Sequence, residues 1–218
     1  MLDWSKIHTV LLDMDGTLLD LHYDNHFWLE HVPRRYALDQ GIAPELARTQ
    51  LFERFARHSG TLDWYCTDFW SRELALDIVQ MKREIAHLIA VRPDVPAFLS
   101  AVRSTGRRVV MVTNAHPNSL ALKMQQTGLT PYFDALISSH QVGLPKEHPD
   151  FWEGLQTLER FDAQHTLFVD DSLPVLRSAL RYGIAQLLAV CNPDSHQPPK
   201  DCGEFIAISG FSEVMPPG

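Results

Sequence analysis

Five short apolar runs recur along the chain, at Thr9–Leu12, Val109–Val112, Ala135–Ile137, Thr166–Val169 and Gln186–Val190, with segments of helical period between them. Nearly continuous runs of this length suit parallel strands buried on both faces, and they leave few other options for such stretches. Val95, Phe98, Leu99 and Val102 precede Gly106 at helical spacing, and Phe151, Trp152, Leu155 and Leu158 follow Pro149 in the same way. Strand and helix alternate, so the expected class is α/β with an open, mostly parallel sheet.

The stretch from about Leu21 to Val91 breaks this alternation. It has no comparable strand run and shows two long helical patterns, roughly Pro44–His58 and Ser71–Ala90. It reads as a helical insert of residues 21–91, which splits an α/β core into residues 1–20 and 92–218 and sits over one edge of it. The tail from Asn192, rich in Pro, Ser and Gly, is expected to drape over the surface.

A formal net charge of −8 argues against nucleic acid polymers or an anionic membrane surface as the main partner. An anionic ligand would need a local positive site. Cys66, Cys191 and Cys202 are far apart and form no CxxC or CxxxH pairing that would suggest zinc or redox work, so they read as reduced thiols of a cytoplasmic protein. Acidic residues before and inside the first apolar run speak against a signal peptide or membrane span there.

Chemistry collects at the ends of the strand runs. In LLDMDGT, Asp13 and Asp15 follow a strand directly, and residues two apart in an extended chain face one side. Gly16 permits a tight turn, after which Thr17 and Leu18 could offer backbone amides to an anion. Thr113 ends VVMV with a hydroxyl, and Asn114 opens the turn before Pro117 and a helix. Lys146 lies in GLPKEHP and is one of five lysines. Asp170 and Asp171 follow TLFV; adjacent carboxylates at the end of a buried strand repel, and a bound cation explains them economically. Each feature alone is commonly a cap, a turn or a solvated side chain. Their shared placement, beyond the carboxyl ends of strands in one open sheet, is where such sheets bind ligands.

LLDMDGT, VTN, PK and FVDDS together resemble the four motifs of the haloacid dehalogenase superfamily. The resemblance implies a doubly wound, Rossmann-like parallel sheet with an inserted helical C1-type cap, in agreement with the insert at residues 21–91. It implies a Mg2+-dependent phosphomonoester hydrolase, with Asp13 as nucleophile, Asp15 as general acid and later base, and Lys146 as fixed positive charge. Gly16, Thr17, Thr113, Asn114 and Lys146 would bind phosphate. The implied metal ligands are the Asp13 carboxylate, the Asp15 carbonyl, Asp171 and, as a fourth or outer oxygen, Asp170. Many relatives carry an acidic residue where this chain has Val175, so Asp171 is the firmer ligand of the adjacent pair.

The insert is rich in aromatic and imidazole side chains, and LDWYCTDFW alternates aromatics with polar residues. With LLDMDGTLLDL, DNHFWLEHVP, LDWYCTDFWSRELALDI, TNAHPNSLALK and NPDS, it is similar to the GMP/IMP nucleotidase group of the superfamily. That similarity implies a purine nucleoside monophosphate as substrate, with candidate contacts at His22, Tyr23, Trp64, Tyr65 and Asp68. The rivals are a sugar-phosphate phosphatase or phosphomutase sharing all four motifs, and a non-catalytic binding module, which would be expected to have lost one of them. A phosphonate hydrolase would use a cap lysine; the insert offers only Lys82, in a helical pattern with Met81 and Ile85 that reads as packing.

Overall fold

The computed structural model describes residues 2–217. Six strands form one sheet: β1 Thr9–Leu12, β2 Arg108–Thr113, β3 Ala135–Ser138, β4 Thr166–Asp170, β5 Gln186–Val190 and β6 Ile206–Ile208. Their order is β3-β2-β1-β4-β5-β6, and every neighbouring pair is parallel. The chain winds outward from β1 in one direction and returns to wind in the other, which opens a crevice at the carboxyl ends of β1 and β4.

The apolar runs are strands because both of their faces are covered. Val10, Leu12, Val109, Met111, Leu167 and Val169 join one buried cluster, while Leu11, Val110, Val112 and Phe168 join another on the opposite face. The insert contributes six helices: α1 His22–His26, α2 Val32–Gln40, α3 Pro44–His58, α4 Leu62–Tyr65, α5 Thr67–Leu74 and α6 Ile78–Glu84. In the core, α7 Val95–Ser104 and α8 Pro117–Thr127 cover the first face; α9 Ser139–Val142 follows β3; α10 Phe151–Leu158 and α11 Leu173–Tyr182 cover the second. Among the described residues no helix is long and apolar enough to cross a membrane.

The insert has its own buried cluster, built around Tyr23, Phe27, Leu51, Phe55, Trp70 and Met81. Its two junctions run side by side: the Asp20 amide donates to the Ala90 carbonyl at 2.9 Å and the Arg92 amide to the Leu18 carbonyl at 3.0 Å. Between α1 and α2 the chain makes a π-helical turn, Phe27–His31. Pro33 lacks an amide for the carbonyl four residues back, and the wider turn accommodates its ring. The pattern over Ser71–Ala90 is not one helix. Ala75 adopts φ 54°, a costly left-handed conformation that ends α5, and the Asp77 carboxylate caps α6 by accepting from the Gln80 amide at 2.9 Å.

The tail does more than drape. It adds β6 to the sheet edge and buries Cys202, Ile208 and Phe211. It also braces both junctions: the Leu21 amide donates to the Pro193 carbonyl at 2.8 Å, and Arg92 donates to the Asn192 and Ser209 carbonyls, each at 2.7 Å. A three-residue edge strand with one buried side chain leaves too weak a pattern to be read from sequence.

Candidate active site

Asp13 leaves β1 with its amide donating to the Val169 carbonyl at 3.0 Å, which ties the end of β1 to that of β4. Gly16, at φ +83°, then turns the chain. A Cβ at Gly16 would stand 2.8 Å from Asp171 Cγ, so only glycine lets the β1 loop approach the β4 loop this closely. The loops border a cavity of about 310 Å³ between sheet and insert. Asp13, Asp15, Thr113, Asn114, Lys146, Asp170 and Asp171 all line it, so the predicted motif residues converge.

Lys146 Nζ lies 2.6 Å from Asp13 Oδ1, 2.7 Å from Asp170 Oδ2 and 3.1 Å from the Val112 carbonyl. Burial pushes the Asp13 carboxyl up to about 6, against the pull of Lys146 and with the push of Asp170. Asp170 rises to about 6, again chiefly by burial. Burial opposes the Lys146 charge, but the two carboxylates outweigh it and hold its pKa above the ordinary lysine value. Asp15 points to a second cluster: Lys123 Nζ sits 2.7 Å from its Oδ1 and 2.6 Å from Asp24 Oδ2, and Lys82 Nζ sits 3.2 Å from Asp24 Oδ1. Burial first, then Asp24, push Asp15 up to about 7 against Lys123.

One carboxylate oxygen from each of Asp13, Asp170 and Asp171 lies within 4.8 Å of the other two. Five carboxylates line the cavity against three ammonium groups, so the site carries an excess of formal negative charge that a divalent ion would offset. An all-oxygen donor set with this charge fits Mg2+. Lys200, from the tail, rests on Asp171 Oδ2 at 2.8 Å.

Several of the predicted phosphate contacts have hydrogen-bond partners within the protein. The Gly16 amide is spent on the Leu19 carbonyl and the Leu18 amide on the Met14 carbonyl, and none of Gly16, Thr17 and Leu18 is among the residues that line the cavity. Gly16 serves close approach, while the fully buried Thr17 hydroxyl has no hydrogen-bond partner among the described residues. The Asn114 side chain is committed too: Oδ1 accepts from the Lys146 amide and Nδ2 donates to Glu147, both at 2.9 Å, so it positions the lysine. The Thr113 hydroxyl accepts from the Ala115 amide at 3.0 Å at the cavity wall.

Of the candidate substrate contacts, Trp64 and Tyr65 line the cavity. His22, Tyr23 and Asp68 do not. His22 stacks on His196, Tyr23 is buried with its hydroxyl donating to the Lys82 carbonyl at 2.9 Å, and Asp68 is exposed near His116 and Asn118. The Tyr65 hydroxyl donates to Glu147 at 2.5 Å and links insert to core.

Asp24, Lys123, Trp28 and Lys82 line the cavity without having been singled out as contacts. The available signal was Lys123 itself, a lysine on the inward face of α8 with Ser119 one turn before it and Leu120 and Met124 beside it. Lys82 is buried as its helical pattern suggested, but in the cavity wall against Tyr23, Phe27 and Trp28.

The family described as haloacid dehalogenase-like hydrolase matches residues 7–183. The chain belongs to this family of hydrolases. It is 38% identical over 213 residues, 98% of this chain and 96% of the relative, to the GMP/IMP nucleotidase YrfG of Escherichia coli K12. Among solved structures it is similar to a HAD phosphatase from Thermococcus onnurineus, at 26% identity and a TM-score of 0.78, covering 95% of this chain and 96% of that one. CbbY from Rhodobacter sphaeroides, in complex with phosphate, shares the fold at 15% identity and a TM-score of 0.66, with 95% and 96% coverage. In haloacid dehalogenase-like terms the cavity lies where the sheet reverses its winding, with the insert above it.

Proposed function

We propose that the protein is a cytoplasmic phosphomonoester hydrolase that transfers phosphate through Asp13, with a purine nucleoside monophosphate as substrate and the insert as its cap. The observation that carries the reading is the Asp13–Lys146–Asp170–Asp171 cluster at the sheet's switch point, with Asp15 facing the same cavity. A phosphate monoester is nearly dianionic, and at ~4 Å with an effective dielectric near 20 each unit charge repels the Asp13 carboxylate by ~4 kcal/mol. Mg2+, held by Asp13, Asp170, Asp171 and the Asp15 carbonyl, would supply the positive charge that offsets this repulsion. Lys146 supplies the remaining fixed charge.

The Asp13 carboxylate attacks phosphorus as the bond to the leaving oxygen breaks, and Asp15 gives that oxygen its proton. Asp15, now ionised, takes a proton from water; the water oxygen attacks phosphorus, the Asp13–phosphorus bond breaks and phosphate leaves. Asp15 can play both parts because a group near pKa 7 exchanges protons readily at neutral pH.

Selectivity has to come from groups that reach the leaving part of the substrate. Trp28, Trp64 and Tyr65 offer faces for a purine, and Lys82 Nζ offers a donor for a 6-oxo group where AMP would present a donor of its own. A buried mismatch of that kind costs ~1–3 kcal/mol, roughly fivefold to over a hundredfold. The full-length similarity to a GMP/IMP nucleotidase supports the same choice. The test is kcat/KM for GMP, IMP, AMP, CMP and a sugar phosphate, on the wild type and on Trp64→Ala and Lys82→Met. GMP and IMP should lead, with the lead shrinking in both variants. Equal efficiencies defeat the nucleotide assignment, and no phosphate release from any monoester defeats the hydrolase mechanism.

Lys82 favours a second reading, an amine-dependent phosphonate hydrolase, because burial lowers its pKa despite Asp24. Borohydride inactivation in the presence of a carbonyl phosphonate would support it. The Asp24 and aromatic contacts that clamp Lys82 weigh against it.

A further inference from the structure

Cys66, His116 and His140 take no part in the chemistry above, yet each brings one donor atom, the sulfur or a ring nitrogen, to within 4.8 Å of the other two. Cys66 joins α4 to α5 in the insert, His116 caps α8 in the core, and His140 lies in α9. No sequence spacing relates the three, so only the contact between insert and core assembles them. We propose that they form a second metal site, for a borderline-soft cation with Zn2+ foremost, that clamps the insert to the core beside the cavity.

The ligand types point to that class of ion: a thiolate with two imidazoles selects Zn2+ or Cu+ over the hard ions suited to the acidic cluster. A tetrahedral Zn2+ with bonds of about 2.0–2.3 Å spaces its ligand atoms roughly 3.3–3.7 Å apart, so side-chain shifts on the order of 1 Å close the cluster on an ion. The two imidazole rings stand nearly perpendicular, 81° apart, with centroids 4.8 Å from one another. His140 Nε2 is buried with no hydrogen-bond partner among the described residues, while Nδ1 is 3.4 Å from Ser138 Oγ. A ring that donates from Nδ1 to a hydroxyl and keeps Nε2 bare is arranged as metal-binding histidines are.

His116 can take up the same pattern. Its Nδ1 accepts from the Asn118 amide at 3.3 Å as the α8 cap but lies closer, at 2.9 Å, to Thr67 Oγ1, to which it would donate instead when Nε2 binds an ion. Cys66 Sγ accepts from the Phe69 amide at 3.4 Å, a contact that a metal-bound thiolate keeps. Asp68 Oδ2, 3.7 Å from His116 Nε2, is within reach of a fourth position that water can otherwise fill. Cys66 adjoins Tyr65 in the cavity wall, and His116 follows the cavity residues Thr113, Asn114 and Ala115, so an ion here fixes one side of the cavity against the other.

The test uses the full chain saturated with Mg2+ and without substrate, so it is independent of the phosphatase reading. Titration with Co2+ should give a near-ultraviolet thiolate-to-cobalt charge-transfer band that saturates at one equivalent and is displaced by Zn2+. Cys66→Ser keeps an oxygen to accept the Phe69 amide, and must lose the band. His140→Asn must weaken Co2+ binding by roughly tenfold or more. Asp171→Asn, which impairs the acidic site, must leave the band intact. Hydrogen exchange across residues 62–74 should slow on Zn2+ addition in the wild type and not in Cys66→Ser. No band in the wild type, a band that survives Cys66→Ser, or one lost with Asp171→Asn overturns the site. Unchanged exchange overturns the clamp.

Discussion

At Asp15, burial and the Asp24 carboxylate raise the pKa to about 7 while Lys123 pulls it down. If Asp15 is the general acid it must be protonated, so kcat/KM should fall as the pH rises through about 7. The neighbours then act in opposite directions. Lys123→Met removes the pull and should move this limb to higher pH; Asp24→Asn removes the push and should move it lower. Profiles with unmoved alkaline limbs would separate the limb from Asp15. Gly16→Ala should cost activity by roughly tenfold or more, because the new Cβ meets Asp171; steady-state kinetics at saturating Mg2+ measures it. Asp13, Asp15, Lys146, Asp170 and Asp171 were legible because each adjoins a strand end or turn whose position follows from the pattern. Asp24, Lys82 and Lys123 were not, since only the docking of α1, α6 and α8 around the cavity gives them a role. His22, Tyr23 and Asp68 lie outside the cavity lining, and rich composition near a site does not say which way a helix turns.

At the scale of elements, the five buried strands could be read from uninterrupted apolar runs, and α3 from its proline start and amphipathic period. The π turn, the break at Ala75 and β6 could not, because each answers a local steric or edge condition that periodicity does not encode. The tail offers a direct check. Phe211 is buried against Phe98, with ring centroids 4.5 Å apart, so Phe211→Ala should lower unfolding stability by about 3–5 kcal/mol in denaturant melts. A loss below about 1 kcal/mol would mean the tail is loosely held. Tyr65→Phe removes the hydroxyl that ties the insert to Glu147; it should raise KM for the nucleotide severalfold with kcat altered less, as read from initial rates.

For the whole molecule, net charge argues against polyanions as main partners but gives no hint of how the charges are gathered: three of the five lysines line one cavity and a fourth rests on its rim. The concentration of carboxylates there has a measurable consequence. Asp13, Asp15 and Asp170 have folded pKa values above 3.8, so their contribution to stability is full below that value and is lost as the pH rises through about 6 to 7. Mg2+ needs the ionised ligands, so the rise in Tm on adding Mg2+ should be small near pH 5 and several degrees larger near pH 8. A Mg2+ shift independent of pH would place the ion elsewhere. The covalent role of Asp13 can be tested directly with Asp15→Asn, which retains the nucleophile but lacks the base for hydrolysis. The variant is mixed with GMP and Mg2+, quenched in acid and mapped by tandem mass spectrometry. One phosphoryl group on the peptide carrying Asp13, absent from Asp13→Asn, is the predicted result; phosphate release by Asp13→Asn within tenfold of the wild-type rate would contradict it.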